Sequence, residues 1–159
     1  MRKIAIAAVV LLASAAPALA EWAPSKWGMS PEQVIKAVPN AVAVVRDGDG
    51  KDVSGHHQLA TAPTKDGAIQ LQANFYFEPG KRQLAFIQFV PGTAQCKDYQ
   101  TLLESRNGAG KHDDKDLDKI QLTVIEWVEA GSKDKLKYVG VTASANGAWL
   151  YCHLHREKP

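Results

Sequence analysis

The sequence predicts an α+β domain: an antiparallel sheet with two helices packed on one face, in the order helix, strands, helix, strands. Three observations carry this expectation. A capped helix start stands at Ser30, the stretch Ile69 to Phe77 alternates apolar and polar residues, and Asn146-Gly147 separates two alternating runs near the C-terminus.

The helix start is Trp27-Gly28-Met29-Ser30-Pro31-Glu32-Gln33-Val34. Ser30 is placed to cap the helix and Gln33 to complete a capping box, while Pro31 sits at the first helical position, where its missing N–H costs nothing. Met29 and Val34 are spaced as a hydrophobic staple, and Pro39 stops the helix. The Asp47-Gly48-Asp49-Gly50-Lys51-Asp52 run that follows has the look of a calcium loop. However, Lys51, Asp52 and Gln58 occupy the fifth, sixth and twelfth positions, where an EF-hand needs an oxygen ligand, Gly and Glu. A solvated hairpin turn is the better reading.

Ile69, Leu71, Ala73, Phe75 and Phe77 alternate with Gln70, Gln72, Asn74 and Tyr76, which predicts a strand with one buried face. Pro79-Gly80 turns the chain, and Leu84 to Val90 returns as a strand apolar on both sides. From Thr93 to Asn107 the period becomes helical, with Cys96, Tyr99, Leu102, Leu103 and Arg106 at three- and four-residue steps and Asn107-Gly108 as the stop. Gly108 to Asp118 is charged and reads as a mobile surface loop. Three strands then close the chain, roughly Ile120 to Val128, Leu136 to Ala143 and Ala148 to His155. Each half is in outline a helix followed by a strand meander, without a residue-level repeat.

The N-terminus sets the compartment. Arg2 and Lys3 precede an apolar run from Ile4 to Leu12, and Ala18-Leu19-Ala20 places small residues where a signal peptidase reads, so residues 1–20 are expected to be a leader cleaved before Glu21. The expected location is the periplasm or the extracellular medium. No cysteine stands at the cleavage point to carry lipid, and no later segment is apolar enough to anchor the mature chain in a membrane. Taking 20 from 159 residues leaves 139, enough for a single domain over 21–159. Arg2 and Lys3 account for the formal +2 charge: of 19 basic residues the mature part keeps 17, against 17 acidic. With no net positive field and no basic cluster, nucleic-acid binding is excluded as a function class.

Cys96 and Cys152 are the only cysteines, and an even count in an oxidising compartment predicts one disulfide. A reactive thiol pair or two metal ligands are the competing readings, but their wide separation lacks the spacing of either. On the last strand a period of two places Ala148, Leu150, Cys152 and Leu154 on one face and Trp149, Tyr151, His153 and His155 on the other. If the leucines of this face meet the helices, Cys152 meets them too, with Cys96 at the start of the second helix as its partner.

His153 and His155 form the candidate metal site, two imidazoles on one strand face able to share zinc or copper, with His56-His57 as a possible third contributor. The competing reading is exposed polar positions. Trp149 and Tyr151 are candidates for a partner-binding patch, against core packing as the ordinary role of Trp22, Trp27, Trp127 and Trp149. No nucleophile elbow, phosphate loop or zinc-protease helix occurs, and Glu126 and Glu129 fall on opposite strand faces because their spacing is odd. The expectation is a non-enzymatic exported protein that binds an unknown periplasmic protein or small ligand. It needs no cofactor, and its alternative is a small metal-binding protein using the strand histidines.

The Trp27 to Val34 run, the segment Phe75-Tyr76-Phe77-Glu78-Pro79-Gly80-Lys81 leading to Leu84, and Cys96 opening a helix with Leu102 and Leu103 resemble a group of uncharacterised small exported proteobacterial proteins. The outline is also similar to the helix-plus-strands modules of the β-lactamase inhibitor protein and of the SmpA/OmlA outer-membrane assembly lipoproteins. The resemblance covers about half of the mature chain and rests on structural motifs. It implies an α+β module and a role in envelope maintenance, and it supplies no catalytic residue. The chain departs from the lipoproteins in having no lipid-bearing cysteine after the leader.

Overall fold

The computed structural model describes residues 24–45 and 53–159. The expected leader, its cleavage point, Trp22 and the 47–52 loop lie outside the described residues. The elements, in chain order, are α1 (Pro31–Ala37), β1 (Val42–Ala43), β2 (His57–Asp66), β3 (Ile69–Phe77), β4 (Leu84–Pro91), a 3-10 turn (Thr93–Gln95) running into α2 (Cys96–Asn107), β5 (Lys111–His112), β6 (Lys115–Leu117), β7 (Ile120–Val128), β8 (Lys135–Ala143) and β9 (Trp149–Glu157). The architecture is mixed α+β.

All strand pairs are antiparallel, in the order β1-β2-β3-β4-β9-β8-β7-β5, with β6 also on β7. The last strands of the two halves, β4 and β9, thus meet at the centre. Because side chains alternate along a strand, one row of paired residues shows a whole face. The row Ala62, Ala73, Phe89, Leu154, Tyr138 and Ile125 crosses from β2 to β7, and every member is buried. Val34 and Val38 beside α1, and Cys96, Tyr99 and Leu103 of α2, belong to the same apolar cluster. This side is called the core face below.

The local signals at α1 act as expected. Ser30 Oγ accepts from Gln33 N at 3.3 Å, and Gln33 Oε1 accepts from Ser30 N at 2.8 Å. Val38 is extended because it precedes Pro39. At the second helix the disulfide joins Cys96 and Cys152 with Cα atoms 5.8 Å apart. A loop of this size contributes about 4 kcal/mol in the chain-entropy account.

Buried charges tie the two halves together. Arg106 of α2 donates twice to Asp66 at the end of β2, at 2.8 and 2.6 Å. Arg156 lies between Glu129 and Asp134 at 2.9 and 2.8 Å, with the Trp27 ring 5.9 Å from its guanidinium. Trp27 Nε1 donates to Asp134 at 3.0 Å.

Two expectations are corrected. The 108–118 stretch is not a loop: β5 and β6 form within it and pair with β7. Its side chains are exposed and carry no period, so backbone pairing defines it. Gly110, at φ 71°, brings the backbone against Ile125 and Trp127, and Trp127 Nε1 donates to Gly108 O at 2.8 Å. The second correction concerns β9. A bulge makes Thr142 pair with Trp149 while Val141 pairs with Tyr151, so the alternation slips by one residue. Trp149 therefore packs against the core cluster, over Gly140, and Leu150 is left 50% exposed.

Candidate functional site

The outer face of the sheet, opposite the core face, carries the chemistry. Its central row, read across the pairing, is Asn74, Gln88, His155, Lys137, Glu126 and Lys111, from β3 to β5. On one side of it run Phe86, Glu157, Lys135 and Val128. On the other run His153, Val139 and Val124, then Tyr151, Val141 and Leu122. A groove of about 680 Å³ lies over the central row from Gln88 to Lys111 and its neighbours Glu157, Lys135, Val128, His153 and Val139, with the Val53–Ser54 turn at its edge. A second hollow of about 670 Å³ adjoins it and shares Lys111, Glu126, Lys137 and Val139. Volumes of this order are typical of small-molecule sites.

The part of this face on β3 and β4 is filled rather than open. Tyr76 stacks on Phe86 at 4.4 Å between ring centres, Phe86 stacks on His155 at 4.2 Å, and His56 meets Phe86 edge-on at 5.3 Å. Burial pushes the Tyr76 phenol up from its ordinary range.

The charged residues pair loosely. Lys137 Nζ is 3.5 Å from Glu126, Lys135 Nζ is 3.8 Å from Glu157, and His155 Nε2 is 3.4 Å from the same Glu157. Such pairs, half open to water, contribute little stability. His153 behaves differently. Burial, aided by the charges of His155 and Lys137, holds its pKa down at about 4, so the ring is neutral at physiological pH. Its Nδ1 is enclosed and meets no hydrogen-bond partner among the described residues. Burial also lowers the His155 pKa, opposed by Glu157.

The structure brings His153 and His155 onto one face, as the strand period requires, and places the His56 ring against the same Phe86 that His155 stacks on. Among the described residues no three His, Cys, Asp or Glu side chains converge as a metal-binding group. The bulge separates the proposed contact pair: Tyr151, 39% exposed, stays on the outer face beside His153, with rings 5.2 Å apart, while Trp149 turns to the core. Glu126 points to the groove and Glu129 is buried against Arg156, so the two carboxylates do not act together.

Sequence reading did not single out Gln88, Lys111 or Lys137. Lys137 is the outward member of an alternating strand, Gln88 sits in a strand apolar on both sides and Lys111 in a two-residue strand without a period, and their convergence depends on the register across five strands. Among the described residues no helix is long and apolar enough to cross a membrane. Compared with family models, with curated proteins and with solved structures, the chain matches none.

Proposed function

We propose that the protein is a non-enzymatic, exported binding protein of the cell envelope, with both helices packed on the core face and the outer-face groove as its binding surface. One observation carries this reading: charged, apolar and neutral imidazole groups from β4, β5, β7, β8 and β9 converge on one open groove. A stable sheet does not need such a mixture on its outer side, and a few placed polar groups in an apolar hollow are what small-ligand recognition uses. The resemblance to exported envelope proteins supports the compartment and the role in envelope maintenance.

A photo-crosslinking amino acid placed at Val128, inside the groove, or at Thr101, exposed on α2, tests this in the producing cells. A discrete adduct from Val128 and none from Thr101 is the expected result. Adducts of the same kind from both positions, or none from Val128, would overturn it.

A second reading has one observation in its favour. His153 is neutral and its Nδ1 has no hydrogen-bond partner among the described residues, which is the state a metal ligand requires. In this reading His153 and His155 hold zinc or copper. Calorimetric titration of zinc and copper into the wild type and a His153→Ala/His155→Ala variant decides it. A submicromolar site lost in the variant supports metal handling, and weak binding unchanged by the substitution removes it.

A further inference from the structure

The geometry points to a small amphiphilic anion as the ligand of the groove: a free molecule with one carboxylate- or sulfonate-type head and an apolar body. We infer that its head is held by Lys111 and Lys137 and its body by Val139, Val124 and Leu122. This rests on the reading of the groove as the binding surface.

Charge is the first argument. Lys111 stands opposite Glu126 in the β5–β7 register, so its side chain leaves from the same face. The Glu126 carboxylate is nevertheless 3.5 Å from Lys137, and Lys111 has no ion-pair partner among the described residues. Lys135 and Lys115 are matched by Glu157 and Asp113, at 3.8 and 3.2 Å. Among the described residues the groove is therefore left with one uncompensated positive charge. A cation would find no free carboxylate there among the described residues, and a neutral ligand would leave Lys111 unused.

Apolar surface is the second argument. Val139 pairs with Val124 and Val141 with Leu122, so the two rows beside the lysines form an aliphatic floor. The charged row and the aliphatic rows are adjacent on the pleat, which places head and body sites within one small molecule's length. Both hollows include Lys111, Lys137 and Val139, so the head site is common to them.

The test is a fluorescence titration of the mature protein with two dyes of nearly the same body. These are 8-anilinonaphthalene-1-sulfonate, which carries the anionic head, and N-phenyl-1-naphthylamine, which lacks it. The expected result is one sulfonate-dye site at least tenfold tighter than that of the neutral dye. Lys111→Gln should weaken the sulfonate dye about tenfold, the loss of one charge-assisted contact, and leave the neutral dye unchanged. Val139→Asp, which puts a carboxylate into the half-buried aliphatic floor common to both hollows, should weaken both dyes. If the neutral dye binds as tightly as the anionic one, or Lys111→Gln has no effect while Val139→Asp does, the anion inference fails and the groove reading stands. If neither dye binds, or neither responds to Val139→Asp, both fail.

Discussion

The two halves of the chain share an outline and differ in what their outer faces hold. One runs α1, β1, β2, β3, β4 and the other α2, β5 with β6, β7, β8, β9, and they meet at the β4–β9 pair. In the first half the outer face is closed by its own side chains. Asn74 Oδ1 accepts from Gln58 at 3.0 Å and from Thr61 at 2.9 Å, Gln72 bonds Thr61 in turn, and Tyr76 and Phe86 stack. In the second half the equivalent positions hold Lys137, Glu126, His153 and Val139, which line an open hollow. The same meander therefore supports a self-satisfied surface once and a candidate site once, which places the functional difference in side chains rather than in topology.

The largest way to break the pairing of the halves is at Arg156. Its guanidinium is the shared partner of Glu129 and Asp134, all three largely buried, and it stands under Trp27 from the first half. Arg156→Leu leaves two buried carboxylates without their cation, with an expected loss of about 3–5 kcal/mol in urea unfolding at neutral pH. A loss below about 1 kcal/mol would show that this joint is unimportant. Next comes the covalent tie inside the second half. The Cys96→Ala/Cys152→Ala variant should lose about 4 kcal/mol, while Arg106→Lys, which keeps the charge but not the two-point contact with Asp66, should lose less.

Elements whose side chains carry a period were legible in the sequence. The alternation of Ile69 to Phe77 matches β3, and the strand expected at roughly Ile120 to Val128 is β7. Elements held mainly by their backbones were not. β2 buries little more than Ala60 and Ala62 along its apolar side and contains Pro63, so nothing in its composition announces a strand. β5 and β6 have only exposed side chains. The orientation of Trp149 escaped the same logic, because a bulge is a property of the pairing and leaves no mark on the period of one strand. Of the groove, the outward positions of His153 and His155 were readable. Their neighbours Lys137, Gln88 and Lys111 were not, since register is a relation between strands.

Acid should separate the halves by a smaller amount. His153 has a pKa of about 4 in the folded protein and an ordinary value near 6.5 in the unfolded chain. Between those values the unfolded chain binds a proton that the folded one refuses, so stability falls as pH drops from 6.5 toward 4 and levels off below. At pH 4.5 the His153 share of that loss is about 2–3 kcal/mol. The burial-lowered pKa of His155 acts in the same direction. Urea midpoints of wild type and His153→Gln, compared at pH 7 and pH 4.5, isolate it. The variant should lose less on acidification, and equal losses would mean that His153 is not held neutral by the fold.

The smallest effect concerns the two helix starts. α1 opens with a complete capping box, while α2 has no side-chain cap and is entered through the 3-10 turn, anchored by Cys96 and by the Tyr138 hydroxyl, which donates to Cys96 O at 3.1 Å. The first helix therefore depends on Ser30 in a way the second does not depend on Gln95. Ser30→Ala removes the acceptor for Gln33 N–H and should cost about 1 kcal/mol, read as a shift of the urea midpoint without a change in slope. Gln95→Ala should cost less, because the Gln95 side chain makes only a long bond, 3.3 Å, from Gln70 N, outside the helix. If the two substitutions proved equal, local capping would not be what distinguishes the first helix, and its burial through Val34 and Val38 would have to account for its stability.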